Sequence, residues 1–136
     1  MSGVYARNRH LSAHKYFTLA LEIRAEITKK VTTKQLPKSY RFVFAVPMAE
    51  TARSLVMNLV KADAFYPNTA RNVEERKRFM TLAIADCNQL LQDLQCLKSL
   101  NSNISLSWFE TLIQDVDDDI KLIKGARSGV KLIGKG

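Results

Sequence analysis

Three groups of residues in this chain have side chains whose type and spacing could do chemistry. His10 and His14 are four residues apart, a spacing that would put two imidazoles on one helix face as metal ligands. The chain has no third histidine, and a pair of ordinary surface histidines fits the same spacing. Cys87 and Cys96 are nine residues apart in one helical pattern, which sets them ~13 Å apart, too far for a disulfide. Cys87 lies on the apolar stripe of that pattern and reads as a core cysteine, with no histidine placed by sequence to activate it. Asp115, Asp117, Asp118 and Asp119 form a carboxylate run in which Asp115, Asp118 and Asp119 can share a helix face. A magnesium site would need carboxylates from more than one helix. The run therefore reads as a solvated face, or as a docking face for a basic patch on another subunit. Neither a Glu-x-x-His pair nor a Ser/His/Asp arrangement is present, so no catalysis, cofactor or metal is expected.

The strongest signal is charge. The 136 residues carry a formal net charge of +8, with a pI near 9.7. Such a balance favours an anionic partner. The charge is uneven: residues 1–41 hold a net +7, residues 99–123 a net −4 and residues 124–136 a net +4. The expected nucleic-acid contacts are Arg7, Arg9, Lys15, Lys29, Lys30, Lys34, Lys38 and Arg41, the group Arg76, Lys77 and Arg78, and then Lys124, Arg127, Lys131 and Lys135. Contacts of this kind release counterions and supply affinity without reading sequence. Tyr5 and Tyr40 are the candidate exposed aromatics, too few for a base-stacking single-strand binder.

Four helical patterns must position these groups. Tyr16, Ala20, Ile23, Ile27 and Val31 recur at helical spacing over residues 12–31, widened by Phe17 and Leu21, with Ser12 as N-cap. Residues 37–65 carry the stripe Phe42, Val46, Ala49, Ala52, Val56, Leu59 and Val60. Pro47 interrupts it, so either the helix kinks there or residues 39–46 are extended and the helix starts at Pro47. A lone strand would lack a partner, which favours the kink. Residues 73–100 hold Met80, Ala83, Ile84, Cys87, Leu90, Leu91, Leu94 and Leu97, with Asn72 as the expected cap. Residues 105–124 hold Phe109, Leu112, Ile113, Val116, Ile120 and Ile123 behind Ser105. Short connections force neighbouring helices antiparallel. The expected fold is all-α: a basic extension over 1–11, an up-down-up-down four-helix bundle over 12–124, and a mobile basic glycine-rich tail over 125–136.

No glycine occurs between residues 4 and 124, which argues against hairpin-rich, dinucleotide-binding and P-loop folds. The longest apolar run, residues 42–49, is far short of a membrane span. Residues 1–10 are polar and basic with no apolar run behind them, so no secretory signal is expected. A cytoplasmic setting follows as the expectation.

Specific residues then add a family resemblance. After the first helix the chain reads Leu36-Pro37-Lys38-Ser39-Tyr40-Arg41-Phe42, and the second helix closes near Tyr66-Pro67-Asn68. A leucine-rich third helix follows, then Ile104-Ser105-Leu106, with Phe109, Leu112, Ile120 and Gly125 spaced through the fourth. Over residues 12–127 this resembles the four-helix-bundle family of accessory variability determinant proteins of diversity-generating retroelements. Proteins encoded in intervening sequences of bacterial 23S rRNA genes belong to the same superfamily. The resemblance implies a homopentameric, non-catalytic subunit that binds a reverse transcriptase and RNA or DNA. It would support error-prone template copying during mutagenic retrohoming. The alternative it leaves open is a stand-alone RNA-binding bundle of the rRNA intervening-sequence type.

Overall fold

The computed structural model describes residues 14–100 and 103–133. Arg7, Arg9, Lys135, His10, Ser12 and Tyr5, named above, lie outside the described residues. Four helices form: α1 (Lys15–Val31), α2 (Val46–Ala64), α3 (Ala70–Ser99) and α4 (Leu106–Ser128). A 3-10 turn (Lys38–Tyr40) and a π-turn (Arg41–Ala45) lead without a break into α2. No strand is present among the described residues.

Each helix packs on its sequence neighbours, and α1 closes the ring against α4. Antiparallel direction follows from contacts at the ends. The indole Nε1 of Trp108, at the start of α4, donates to Glu26 near the end of α1 at 3.4 Å. Arg127, at the end of α4, donates to Thr81 early in α3 at 3.0 Å. The bundle buries Ile23 and Ile27 from α1, and Met48, Leu55 and Leu59 from α2. Met80, Leu90, Leu94 and Leu97 of α3 join Leu112, Val116 and Ile123 of α4 in the same core. Halfway along, the Asp86 carboxylate accepts from Ser54 Oγ and Asn58 Nδ2, each at 2.8 Å, and clasps α3 to α2.

The helical reading through Pro47 holds, by a specific device. The proline ring would crowd the carbonyl of Val43 in a regular α-helix. The wider π-turn lies just ahead of Pro47, which then occupies the first turn of α2, where its missing N–H is tolerated. The core stripe of this helix runs through Phe44, Met48, Ala52, Leu55 and Leu59, not along the Phe42–Val46 face expected from sequence. Phe44 is buried, while Phe42, placed on the core stripe from sequence, is 79% exposed. Val60 and Leu21, likewise expected inside, are exposed too.

Two boundaries differ from expectation. α3 starts earlier, and its N-cap is Thr69, whose hydroxyl accepts from the Asn72 N–H at 3.1 Å. Asn72 instead donates through its side chain to the Tyr66 carbonyl and to Asn68. Ser105 caps α4 as anticipated, accepting from Trp108 N–H at 3.3 Å. At its far end α4 runs on through Gly125 to Ser128, so the first four residues assigned to the tail are helical. Val130 then packs on the core, and the Ile133 N–H donates to the Pro67 carbonyl at 2.8 Å. Gly125 and Gly129 do not release the chain, because the Val130 side chain and the Ile133 backbone N–H anchor it.

The helical stretch Lys38–Ala64 is apolar enough over 18 residues, with a mean hydropathy of 1.2, to cross a membrane by length and composition alone. In the bundle its inner face is packed against α1 and α3.

Candidate nucleic-acid interface

Among the described residues the expected basic side chains do not form one surface. Lys29 and Lys30 end α1, Lys34 lies in the connection that follows, Lys38 sits in the 3-10 turn and Arg41 opens the π-turn. All five gather at one end of the bundle. Lys15, Arg76, Lys77, Arg78, Lys124, Arg127 and Lys131 gather at the other, where α1 and α3 begin and α4 ends. The 17 residues of α1 separate the two ends by ~25 Å. That exceeds the Debye length of ~10 Å at 0.1 M salt, so the two groups act as separate fields.

The second group is largely engaged within the chain. The Arg76 side chain is only 14% exposed. Its Nη1 donates to the carbonyls of Ala62 and Phe65, at 3.3 and 3.1 Å, and Nη2 lies 3.6 Å from the Asp63 carboxylate. A cation placed on the last carbonyls of α2 satisfies orphan acceptors and meets the negative end of the helix dipole. Arg76 therefore serves as a structural cap on α2, with its guanidinium engaged inside the chain. Arg78 pairs with Glu75 at 3.0 Å and lies over the Phe79 ring, and Arg127 is held by Thr81. Lys15, Lys124 and Lys131 are exposed.

Arg76 also borders a cleft of about 380 Å³, with Tyr16, Val60, Tyr66 and Ile133 among its walls. Burial pushes the Tyr16 phenol up, and the nearby Arg76 partly offsets this. Replacing Arg76 by Ala should destabilise the fold by about 2 kcal/mol, since the partly buried carbonyls of Ala62 and Phe65 lose a charged donor. Nucleic-acid affinity of the folded variant should stay unchanged. A urea titration alongside a binding curve checks both; weaker binding at unaltered stability would return Arg76 to the interface.

The first group has a different character. Lys30 donates to Gln35 at 2.8 Å and lies over the Trp108 ring, 5.4 Å from its centroid. Lys29 lies 3.7 Å from Glu26, an exposed i,i+3 pair worth little. Lys34, Lys38 and Arg41 are exposed, and none of them pairs with a carboxylate among the described residues. Tyr40 is half-buried against Phe44, so the aromatic beside these cations is Phe42. The sequence reading put Phe42 inside because it chose the face that Phe42 shares with Val46, and that face points outward.

The carboxylate run divides as well. Asp117 lies 3.5 Å from Lys121, and Asp118 accepts from Gln114 at 2.8 Å. Asp119 is wholly buried, and neither of its carboxylate oxygens has a hydrogen-bond partner. Burial raises its pKa to about 8. The solvated-face reading therefore fails for Asp119. It follows Val116 by three residues and precedes Ile123 by four, which sets it on the core stripe. Its charge would push up both the Tyr16 phenol of α1 and the Cys87 thiol of α3, which face it. Cys87 is a buried core thiol, as expected, and Cys96 is exposed. Among the described residues no three His, Cys, Asp or Glu side chains converge as metal ligands.

No family model matches the chain, and neither a curated protein nor a solved structure matches it.

Proposed function

We propose that this protein is a non-catalytic accessory subunit that holds the phosphate backbone of RNA or DNA at its Lys34–Lys38–Arg41 end while serving a reverse transcriptase. The observation that supports the nucleic-acid part is the state of those cations. Lys34, Lys38 and Arg41 are exposed, close in sequence at one end of a rigid bundle, and free of carboxylates among the described residues. Lys29 adds a fourth charge from the last turn of α1. A folded, four-helix platform fixes these charges without ordering a long segment first, which favours phosphate contacts over base readout. The polymerase part rests on the resemblance carried by residues 36–42 and 104–106.

Two measurements test the reading. Affinity for a fluorescent single strand should fall linearly on a log–log plot as salt rises, with little dependence on base sequence. Co-expression with a reverse transcriptase of the retroelement type should yield a complex that survives nuclease treatment. Salt-independent binding would remove the phosphate mechanism. Nucleic-acid binding without a stable polymerase complex would favour the stand-alone RNA-binding alternative.

A further inference from the structure

The cleft beside Arg76 has the make-up of a small-molecule site. Its floor is Tyr16, Leu59 and Pro67, all buried. Its rim is Val60, Tyr66 and Ile133, which are 43, 59 and 50% exposed. Three parts of the chain meet there: the first turn of α1, the end of α2 with the connection behind it, and the segment after α4. The Ile133 N–H ties the last of these to the Pro67 carbonyl at 2.8 Å, so a backbone hydrogen bond fixes one wall against another. A volume of about 380 Å³ lies at the lower end of the range for small-molecule sites.

The polar groups decide what such a site takes. Arg76 has little left to offer an anion, because Nη1 is committed to the carbonyls of Ala62 and Phe65. An anion would also face the Asp63 carboxylate, which is 52% exposed. A cation fares no better, since the Arg76 guanidinium stands beside the same carboxylate and the chain carries a net charge of +8. Arg76 approaches Asp63 at only one oxygen and at 3.6 Å, beyond hydrogen-bond distance, so the carboxylate keeps capacity to accept from an N–H. The rings of Tyr16, Phe17 and Tyr66 supply aromatic surface for the rest of the ligand.

We infer that the cleft between α1, the end of α2 and the segment after α4 binds a small, uncharged aromatic molecule that donates a ring N–H to Asp63. The cleft lies at the end of the bundle opposite Lys34, Lys38 and Arg41, so this site is independent of the phosphate-binding reading and survives its failure.

One ring in three forms tests it. Indole is neutral and carries the N–H, N-methylindole is neutral without it, and indoleacetate adds a negative charge. Each is titrated into the isotopically labelled full chain and followed by amide NMR. Indole should shift the amides of Tyr16, Phe17, Tyr66 and Ile133, with a dissociation constant on the order of 1 mM or tighter. N-methylindole and indoleacetate should each bind about tenfold more weakly. Asp63→Ala should bring indole down to the level of N-methylindole. Val60→Trp should block all three by filling the cleft from its rim. Both positions are exposed, so helical circular dichroism should not change. Indole shifts absent from the cleft amides would overturn the inference. So would equal affinities for the three rings, and so would undiminished indole binding to Val60→Trp.

Discussion

Asp119→Asn should stabilise the protein at pH 9 by several kcal/mol while leaving it nearly unchanged below about pH 4. The cause is the burial of a carboxylate that has no hydrogen-bond partner, which raises its folded-state pKa to about 8. In the unfolded chain an aspartate titrates near ~3.9. Below that pH both states are protonated and the residue imposes no penalty. Between pH 4 and 8 the folded state keeps a proton that the unfolded chain has released. Unfolding then becomes easier by about 1.4 kcal/mol for each unit that pH rises, and the loss is complete above pH 8. Tyr16 and Cys87, the titratable groups facing Asp119, are both pushed upward and stay neutral across this window. Asparagine has the same shape and no charge to lose. Urea midpoints at pH 5, 7 and 9 should slope downward for the wild type and lie flat for the variant. Equal slopes in the two proteins would show that Asp119 is not the group responsible.

Reversing Lys34, Lys38 and Arg41 together to Glu should weaken nucleic-acid binding by two orders of magnitude or more at low salt. Three neutralised phosphates account for about 2–3 units of the log–log salt slope, so the residual binding should also become less salt-sensitive by that amount. All three side chains are exposed and pair with no carboxylate among the described residues, so helical content and the thermal midpoint should hold. Lys30 is better left alone, because its contacts with Gln35 and Trp108 mix binding with structure. The same reversal at Lys15, Lys124 and Lys131 serves as the comparison at the other end. A larger loss there would move the interface to that pole.

What periodicity could reveal was the bundle itself. Ile23 and Ile27, or Leu90, Leu94 and Leu97, recur at three or four residues and lie in the core where that spacing puts them. Periodicity fails where a helix is apolar on more than one face. Around the π-turn over Arg41–Ala45 apolar residues stand on both faces, and the spacing of Phe42 and Val46 suits an inner face that Phe44 and Met48 hold instead. The sequence reading places the cap of α3 at Asn72 although Thr69 holds it, because both residue types suit a helix start and both act there, Thr69 as cap and Asn72 as a brace to Tyr66 and Asn68. Asp119 was legible and masked. Its spacing from Val116 and Ile123 marks the core face, but three neighbouring carboxylates make the run read as solvated. Charge counts revealed the sign of the surface and not its layout. Whether Arg76 binds phosphate or caps a helix depends on Ala62 and Phe65, which approach it only after α2 and α3 turn back on each other.

The placement of the two cysteines equips the chain with its own clock. Cys96 is exposed, so a thiol reagent modifies it in the native state. Cys87 is wholly buried, and its thiolate is strongly disfavoured by burial and by the neighbouring Asp119 and Asp86 carboxylates. A reagent can reach it only in molecules whose α3 and α4 have momentarily parted. With Cys96 blocked beforehand, the rate at which Cys87 reacts reports the frequency of such openings under fully native conditions. Slow modification thus becomes a measure of how tightly the centre of the bundle stays closed, without denaturant and without an introduced probe.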